Sequence, residues 1–161
     1  MKKLWKNNLT LQQNVRKRLP KLARRYLEEG RDALAPGTAW KQMHKFRLHT
    51  KRFRYTLETF QELYGPGLLK RVDSLKKVQT YLGDINDCIV TSEMLKDMEG
   101  MDDVRAKLEK KADEKMDKLR EFWADTFDAE GAESLWTRYL VIYACRPSRV
   151  NRSAPKYVNA K

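Results

Sequence analysis

The chain of 161 residues has the length of one ordinary domain, and its 41% hydrophobic content is enough for a buried core, which argues against disorder throughout. Seven glycines and five prolines exclude collagen-like and low-complexity architectures, and two cysteines are too few for a disulfide framework or a four-cysteine zinc site. The formal net charge is +12, and the excess lies in residues 1–57, which carry 16 basic and three acidic side chains. Such segregation is typical of a surface that binds a polyanion.

The first half of the chain predicts two helices. The first runs from about Leu9 to Glu29, with Pro20 expected to kink or split it, and the first break is formed by Gly30 and by residues 35–37, Ala-Pro-Gly. The second begins near Thr38 as its N-cap and ends at residues 65–67, Gly-Pro-Gly. Its apolar face repeats every three or four residues and is interrupted only by a threonine: Met43, Phe46, Thr50, Phe53, Leu57, Phe60 and Tyr64.

The second half predicts three more helices. The third covers Leu68 to about Met98, and we expect Gly83 within it to permit close approach of another helix. Asp102 or Asp103 is expected to cap the fourth helix. A short fifth helix follows Gly131 and ends before the proline at position 147. No strand-like alternation persists, so the predicted fold is all-α, an antiparallel bundle of four to five helices.

The predicted domain spans residues 1–146, and residues 147–161 form a basic tail that we expect to be flexible. The longest uncharged apolar stretch has seven residues, Tyr139 to Cys145, which is far too short for a membrane span. The basic N-terminus lacks the apolar segment of a secretory signal. We therefore expect a cytoplasmic location.

A row of cations on the second helix is the most informative feature. At about 100° per residue, His44, Arg47, Lys51 and Arg54 fall on one side of the helix, about 120° from the centre of its apolar face. Neighbouring members of such a row lie about 5–6 Å apart and repel one another. No acidic residue occurs between Asp32 and Glu58, so the sequence offers no partner between these points. The pattern favours a surface along which an anionic polymer lies.

Further basic rows occur on the neighbouring helices. Arg18, Lys21 and Arg25 lie beside the apolar face of the first helix, and Lys70 and Lys77 share one line on the third. If the bundle gathers these rows around one cavity, their overlapping fields would bind a flexible polyanion through many weak contacts.

Two linked motifs stand on the second and third helices, His44-x-x-Arg47-x-x-x-Lys51-Arg52-x-Arg54-Tyr55 and Leu75-x-x-Val78-Gln79-x-x-Leu82-Gly83-x-x-Asn86-Asp87. Together they resemble the conserved histidine α-helical domain, the CHAD family, over about residues 40–92. Members of that family are all-helical and bind inorganic polyphosphate through basic side chains that line a central groove or pore.

The resemblance implies a set of anion-contacting positions: His44, Arg47, Lys51, Arg52, Arg54 and Lys77. For the uncharged and acidic motif residues we favour structural roles. Gln79 would satisfy buried groups, and Asp87 would orient a basic side chain. Full-length members carry two related four-helix halves, whereas this chain carries the signature once. Either two copies pair as a homodimer to rebuild the groove, or one half binds through an open face.

We also considered an enzyme and a nucleic-acid-binding module. Two histidines on one helix, without a phosphate-binding loop or clustered carboxylates in the basic segment, do not make a catalytic or metal centre, so we expect no enzymatic activity, metal or cofactor. The cation row would neutralise an RNA or DNA backbone equally well. The aromatic residues of the second helix fall mostly on its core side, where bases cannot stack. Polyphosphate binding is the prediction, and nucleic-acid binding remains the alternative.

Overall fold

The structure is a computed structural model, and it describes residues 8–144. Within these residues it contains helices and no strand: α1 (Leu11–Leu34), α2 (Trp40–Thr59), α3 (Gln61–Tyr64), α4 (Gly67–Met94), α5 (Asp102–Thr126) and α6 (Ala132–Ile142). The predicted all-α bundle is confirmed. The predicted basic tail and the proline expected to follow the last helix lie outside the described residues.

The first helix is longer than the sequence predicts. It starts with a capping box, in which Gln13 N donates to Thr10 Oγ1 at 3.2 Å and Thr10 N donates to Gln13 Oε1 at 2.9 Å. It then continues through Pro20 and Gly30, so neither residue divides it. Gly30 has a packing role, because a Cβ there would lie only 2.1 Å from Cη2 of Trp123. The expectation that Gly30 takes part in the break is wrong, since tertiary packing outweighs the low helix propensity of glycine. The helix ends at Leu34, directly before the predicted residues 35–37.

Two predicted N-caps are also wrong. Thr38 Oγ1 donates to the carbonyls of Asp32 at 3.1 Å and Ala35 at 2.8 Å, so its hydroxyl is held at the end of α1 and does not cap α2. Asp102 and Asp103 lie in the first turn of α5 and make no cap hydrogen bond. Their carboxylates still favour the helix at this end, where the helix dipole is positive.

Helix α2 lies between α1 and α4, while α5 packs on α4 and α6 packs on α1. The centre of the bundle is aromatic: the ring centroids of Tyr26 and Phe53 are 4.8 Å apart, and those of Trp123 and Phe127 are 4.5 Å apart. The threonine that interrupts the apolar series of α2 is fully buried, with Thr50 Oγ1 donating to the carbonyl of Phe46 at 2.9 Å. The core therefore follows the predicted apolar face.

The end of the described chain is fixed to the start of α4. The Arg71 guanidinium carbon lies 3.7 Å from the ring centroid of Tyr139, which packs against Gly67. Tyr64 Oη donates to the carbonyl of Leu140 at 2.8 Å. Burial lowers the pKa of Arg71, whose side chain has no carboxylate partner in the described part of the chain. This arginine therefore belongs to the packing of α6 and not to the cation rows.

Candidate polyanion-binding surface

The row predicted on α2 faces towards α4. Because α2 is one unbroken helix, His44, Arg47, Lys51 and Arg54 lie along one side of it. Arg54 fixes the direction of that side, since its Nε donates to Gln79 Oε1 of α4 at 3.0 Å. We name this area the α2–α4 surface, defined by His44, Arg47, Lys51 and Arg54 on α2 and by Gln79, Gly83 and Asn86 on α4.

Arg54 is the member of the row whose positive charge is partly neutralised by a carboxylate. Its Nη1 donates to Glu58 Oε1 at 2.6 Å, and its guanidinium carbon lies 4.3 Å from the ring centroid of Tyr55. With Gln79 on its Nε, this side chain is held by three neighbours and is only 14% exposed. Arg54 therefore presents a fixed and partly neutralised charge.

Arg47 and Lys51 have no such compensation. Neither makes an ion pair with any carboxylate of residues 8–144, and both are half-buried. The Nε of Arg47 is buried and meets no hydrogen-bond acceptor there. A buried donor without an acceptor is costly to the folded state. His44 is exposed and contacts the ring of Trp40 edge-on, with centroids 6.4 Å apart.

Arg52 lies on the opposite side of α2, which faces α1. Together with Arg25 of α1 it lines a cavity of about 270 Å³, which we name the α1–α2 cavity. Glu29 sits between the cations there: it accepts from Arg25 Nε at 2.7 Å and contacts Nδ1 of His49. Burial alone would raise the pKa of Glu29, but the hydrogen bonds from Arg25 and His49 outweigh it and hold the pKa below its ordinary value. One carboxylate therefore offsets part of the positive charge at this cavity.

The predicted α1 row belongs to this same side of the bundle. Arg18 and Lys21 precede Arg25 by seven and four residues, a spacing that places all three on one side of α1. Lys21 is exposed, Arg18 is half-buried, and neither forms an ion pair with a carboxylate of the described chain. The row extends the basic character of the α1–α2 cavity along α1.

Lys77 and Lys70 lie elsewhere. Lys77 Nζ is 4.3 Å from the ring centroid of Phe122, so this side chain points towards α5. Gln79, two residues later and about 200° further around the helix, is the one that points towards α2. Lys70 precedes Lys77 by seven residues and shares its side of α4. The described structure thus places the ten predicted side chains on three separate surfaces and does not gather them around one cavity.

The remaining motif residues of α4 have mixed outcomes. Gln79 satisfies a side-chain donor as expected, because it accepts from Arg54. Asp87 accepts from the neighbouring Asn86 at 3.3 Å and makes no contact with a basic side chain within residues 8–144. The expectation for Gly83 is wrong: a Cβ at this position would meet no heavy atom of residues 8–144 within 4 Å, so none of the described helices approaches it closely.

The family model described as the CHAD domain matches residues 3–96 of the chain, which is more than half of its length. The chain belongs to the CHAD family. Both motifs and the whole α2–α4 surface lie inside the match, whereas α5 and α6 lie outside it. Comparison with curated proteins and with solved structures gives no significant match.

Within residues 8–144 of this CHAD chain, no group of three or more histidine, cysteine, aspartate or glutamate side chains is placed to hold a metal ion. No helix in the same range is long and apolar enough to cross a membrane. The free cations on α2, Arg47 and Lys51, are a separate observation, and such groups attract anions.

Three contributors to these surfaces were missed by the sequence analysis. Glu58 stands four residues after Arg54, a spacing that signals a helical ion pair. His49 and Glu29 meet across the α1–α2 packing interface, and no local spacing signals that contact. Sequence alone could have supplied the first of these interactions, whereas the second depends on how two helices pack.

Proposed function

We propose that this CHAD chain binds inorganic polyphosphate and catalyses no reaction on it. The observation that carries the proposal is the pair of uncompensated cations Arg47 and Lys51 on the α2–α4 surface, one with a buried Nε that lacks an acceptor. A bound phosphate oxygen would supply that acceptor and relieve the repulsion between the two charges. Membership of the CHAD family supports the same ligand.

A polymer suits the spacing of the row better than a single anion does. Arg47 and Lys51 are about 6 Å apart along the helix axis, and Arg54 follows about 4.5 Å further on, at 1.5 Å per residue. One phosphate group cannot contact all of these side chains, whereas a flexible chain with a charge on every unit can follow them. His44 extends this row towards the start of α2, and Arg54 would act as a fixed end point.

The other predicted ligands are proposed as secondary contacts. Arg52 of α2 and Arg25, Arg18 and Lys21 of α1 lie on the side of the bundle where α1 meets α2, which a long polymer would reach after crossing α2. Lys70 and Lys77 lie on the α5 side of α4, so a contact with the same phosphate segment would need a longer path. We expect these six residues to affect long chains more than short ones.

Nucleic-acid binding has one observation in its favour. Phe46 and Phe53 are buried as predicted, but Tyr55 is 53% exposed beside the cation row, and a base could stack on an exposed ring. Polyphosphate has no ring that could use this side chain. Tyr55→Ala therefore separates the two ligands: it would weaken nucleic-acid binding by about 1–3 kcal/mol per stacked base and leave polyphosphate binding nearly unchanged.

The direct test is competition at physiological salt between long-chain polyphosphate and single-stranded RNA or DNA of equal total charge. We expect polyphosphate to displace a labelled nucleic acid at far lower charge concentration than unlabelled nucleic acid does. Equal displacement by both polymers, together with a loss of RNA binding in Tyr55→Ala, would contradict the proposal and favour the nucleic-acid alternative.

We also propose that two copies of the chain pair around the ligand, because the chain carries the CHAD signature only once. Leu48 supports it, because its side chain is exposed on α2 beside the cation row and a second copy could cover it. Elution volume of the full chain with and without polyphosphate tests this, and a monomer that binds long chains at full strength would contradict it. A cytoplasmic location, in association with polyphosphate granules, also stays a prediction.

A further inference from the structure

Gly83 is a glycine that the fold itself does not require. It lies inside α4 with an ordinary helical backbone, where glycine is a poorer helix former than alanine. The two other glycines within described helices have evident reasons: a Cβ at Gly30 would lie 2.1 Å from Trp123, and one at Gly67 would lie 2.8 Å from Tyr139. A Cβ at Gly83 would enter open space.

The open space lies on the side of α4 that faces the cation row. Gly83 follows Gln79 by four residues, so it shares the side of α4 that accepts the hydrogen bond from Arg54. Helices α2 and α4 are joined by short links through α3 and pack side by side, hence they run antiparallel. Gly83 lies one turn after Gln79 on α4. It is therefore opposite the residue one turn before Arg54 on α2, which is Lys51.

A second observation, one turn of α2 away from that level, points to a ligand. The buried Nε of Arg47 has no acceptor within residues 8–144, and this side chain belongs to the next turn of the same row. The α2–α4 surface therefore carries both an open position on α4, at Gly83, and a donor without an acceptor on α2, the Nε of Arg47. Either feature alone costs stability, and an anion that entered the space and drew the Arg47 guanidinium towards it would use both.

We propose that Gly83 determines how deeply a phosphate group enters the α2–α4 surface, and thereby makes the site selective for slim, unsubstituted phosphate chains. This inference rests on the proposed polyphosphate binding. The missing side chain lets a phosphate approach the α4 backbone, where its oxygens reach Arg47 and Lys51 together. A polymer whose phosphates carry bulky sugars on both sides cannot enter to the same depth, so Gly83 favours polyphosphate over nucleic acid.

Gly83→Ala tests the proposal because it moves stability and binding in opposite directions. We expect the denaturation midpoint to rise, since alanine is the better helix former and meets no neighbour. We expect the Kd for polyphosphate to increase by about tenfold, the effect of losing one charge-assisted hydrogen bond, and the Kd for RNA to change much less. Gly83→Leu should weaken polyphosphate binding further.

Thr80→Ala is the matched control, because it also replaces a poorer helix former on α4 but at an exposed position outside the α2–α4 surface. It should raise the denaturation midpoint without weakening binding.

If Gly83→Ala binds polyphosphate as tightly as the parent while Arg47→Ala plus Lys51→Ala has lost binding, the role of Gly83 is overturned and the proposed function stands. If neither variant changes binding, the proposed site itself is wrong. A lower midpoint for Gly83→Ala would show that the space is filled, which also overturns the inference.

Discussion

Replacing Arg47 and Lys51 together by alanine is expected to weaken polyphosphate binding by on the order of 100-fold, because each lost charge-assisted hydrogen bond costs about 1.5 kcal/mol or more. The slope of log Kd against log salt should fall by about two, since each lost phosphate contact removes about one. Helicity should not fall, because alanine is the best helix former and the variant also removes a buried donor that has no acceptor. Titration with polyphosphate at several salt concentrations measures both effects.

Lys111→Ala plus Lys118→Ala is the control for the double variant. Both lysines are exposed on α5, outside the α2–α4 surface, and the change in net charge is the same. This control should keep most of the affinity and most of the salt dependence. If it loses as much binding as the double variant on α2, the interaction depends on overall charge and not on the α2–α4 surface.

Phe53→Ala should have the largest effect on stability, a loss of about 3–5 kcal/mol in the free energy of unfolding. Phe53 is only 7% exposed and its ring lies 4.8 Å from that of Tyr26 and 6.3 Å from that of Trp136, so truncation leaves a cavity where α1, α2 and α6 meet. A domain of this size is stable by about 5–15 kcal/mol in total, so the variant would be close to unfolding. Chemical denaturation monitored by circular dichroism gives the value.

Phe53→Leu tests whether the loss of stability in Phe53→Ala comes from the lost side-chain volume. Leucine fills most of the space and should cost less than half as much as alanine. Phe53→Ala assayed below its denaturation midpoint should still bind polyphosphate, because Phe53 points away from the cation row. An alanine variant as stable as the parent would contradict the packing described for the centre of the bundle.

The helices and their buried faces could be predicted because they depend on local periodicity. The apolar series of α2 recurs in the structure with Phe46, Phe53 and Leu57 buried, and Thr50 is accommodated by a hydrogen bond to its own helix. Helix ends were less predictable, since backbone carbonyls compete for the same side chains. Thr38 illustrates this, because its hydroxyl donates to the end of α1 and leaves α2 without a side-chain cap.

The candidate surface was predictable only within one helix. His44, Arg47, Lys51 and Arg54 form a row by spacing alone, and an unbroken α2 preserves it. Which neighbouring helix the row faces depends on the rotation and register of α2 against α1 and α4, which no local pattern encodes. For the same reason, the separation of Arg52 and Lys77 from this row required the packed structure.

The open position at Gly83 shows another limit. A glycine in a helical pattern indicates either close packing or a need for space, and the sequence does not distinguish the two. Excluding close packing needed the atoms around the position, and no packing neighbour among residues 8–144 lies within 4 Å of its Cβ site.

The most direct test of polyphosphate binding on the α2–α4 surface is an NMR titration that follows the arginine Nε–Hε signals of the isotope-labelled chain. We expect the signals of Arg47 and Arg54 to shift on addition of polyphosphate, with Arg47 showing the larger change as its Nε gains an acceptor. The signal of Arg120, whose Nε donates to the carbonyl of Leu34 at 3.0 Å, should stay in place. Saturating polyphosphate that shifts other arginines but leaves the Arg47 signal unchanged would contradict the account.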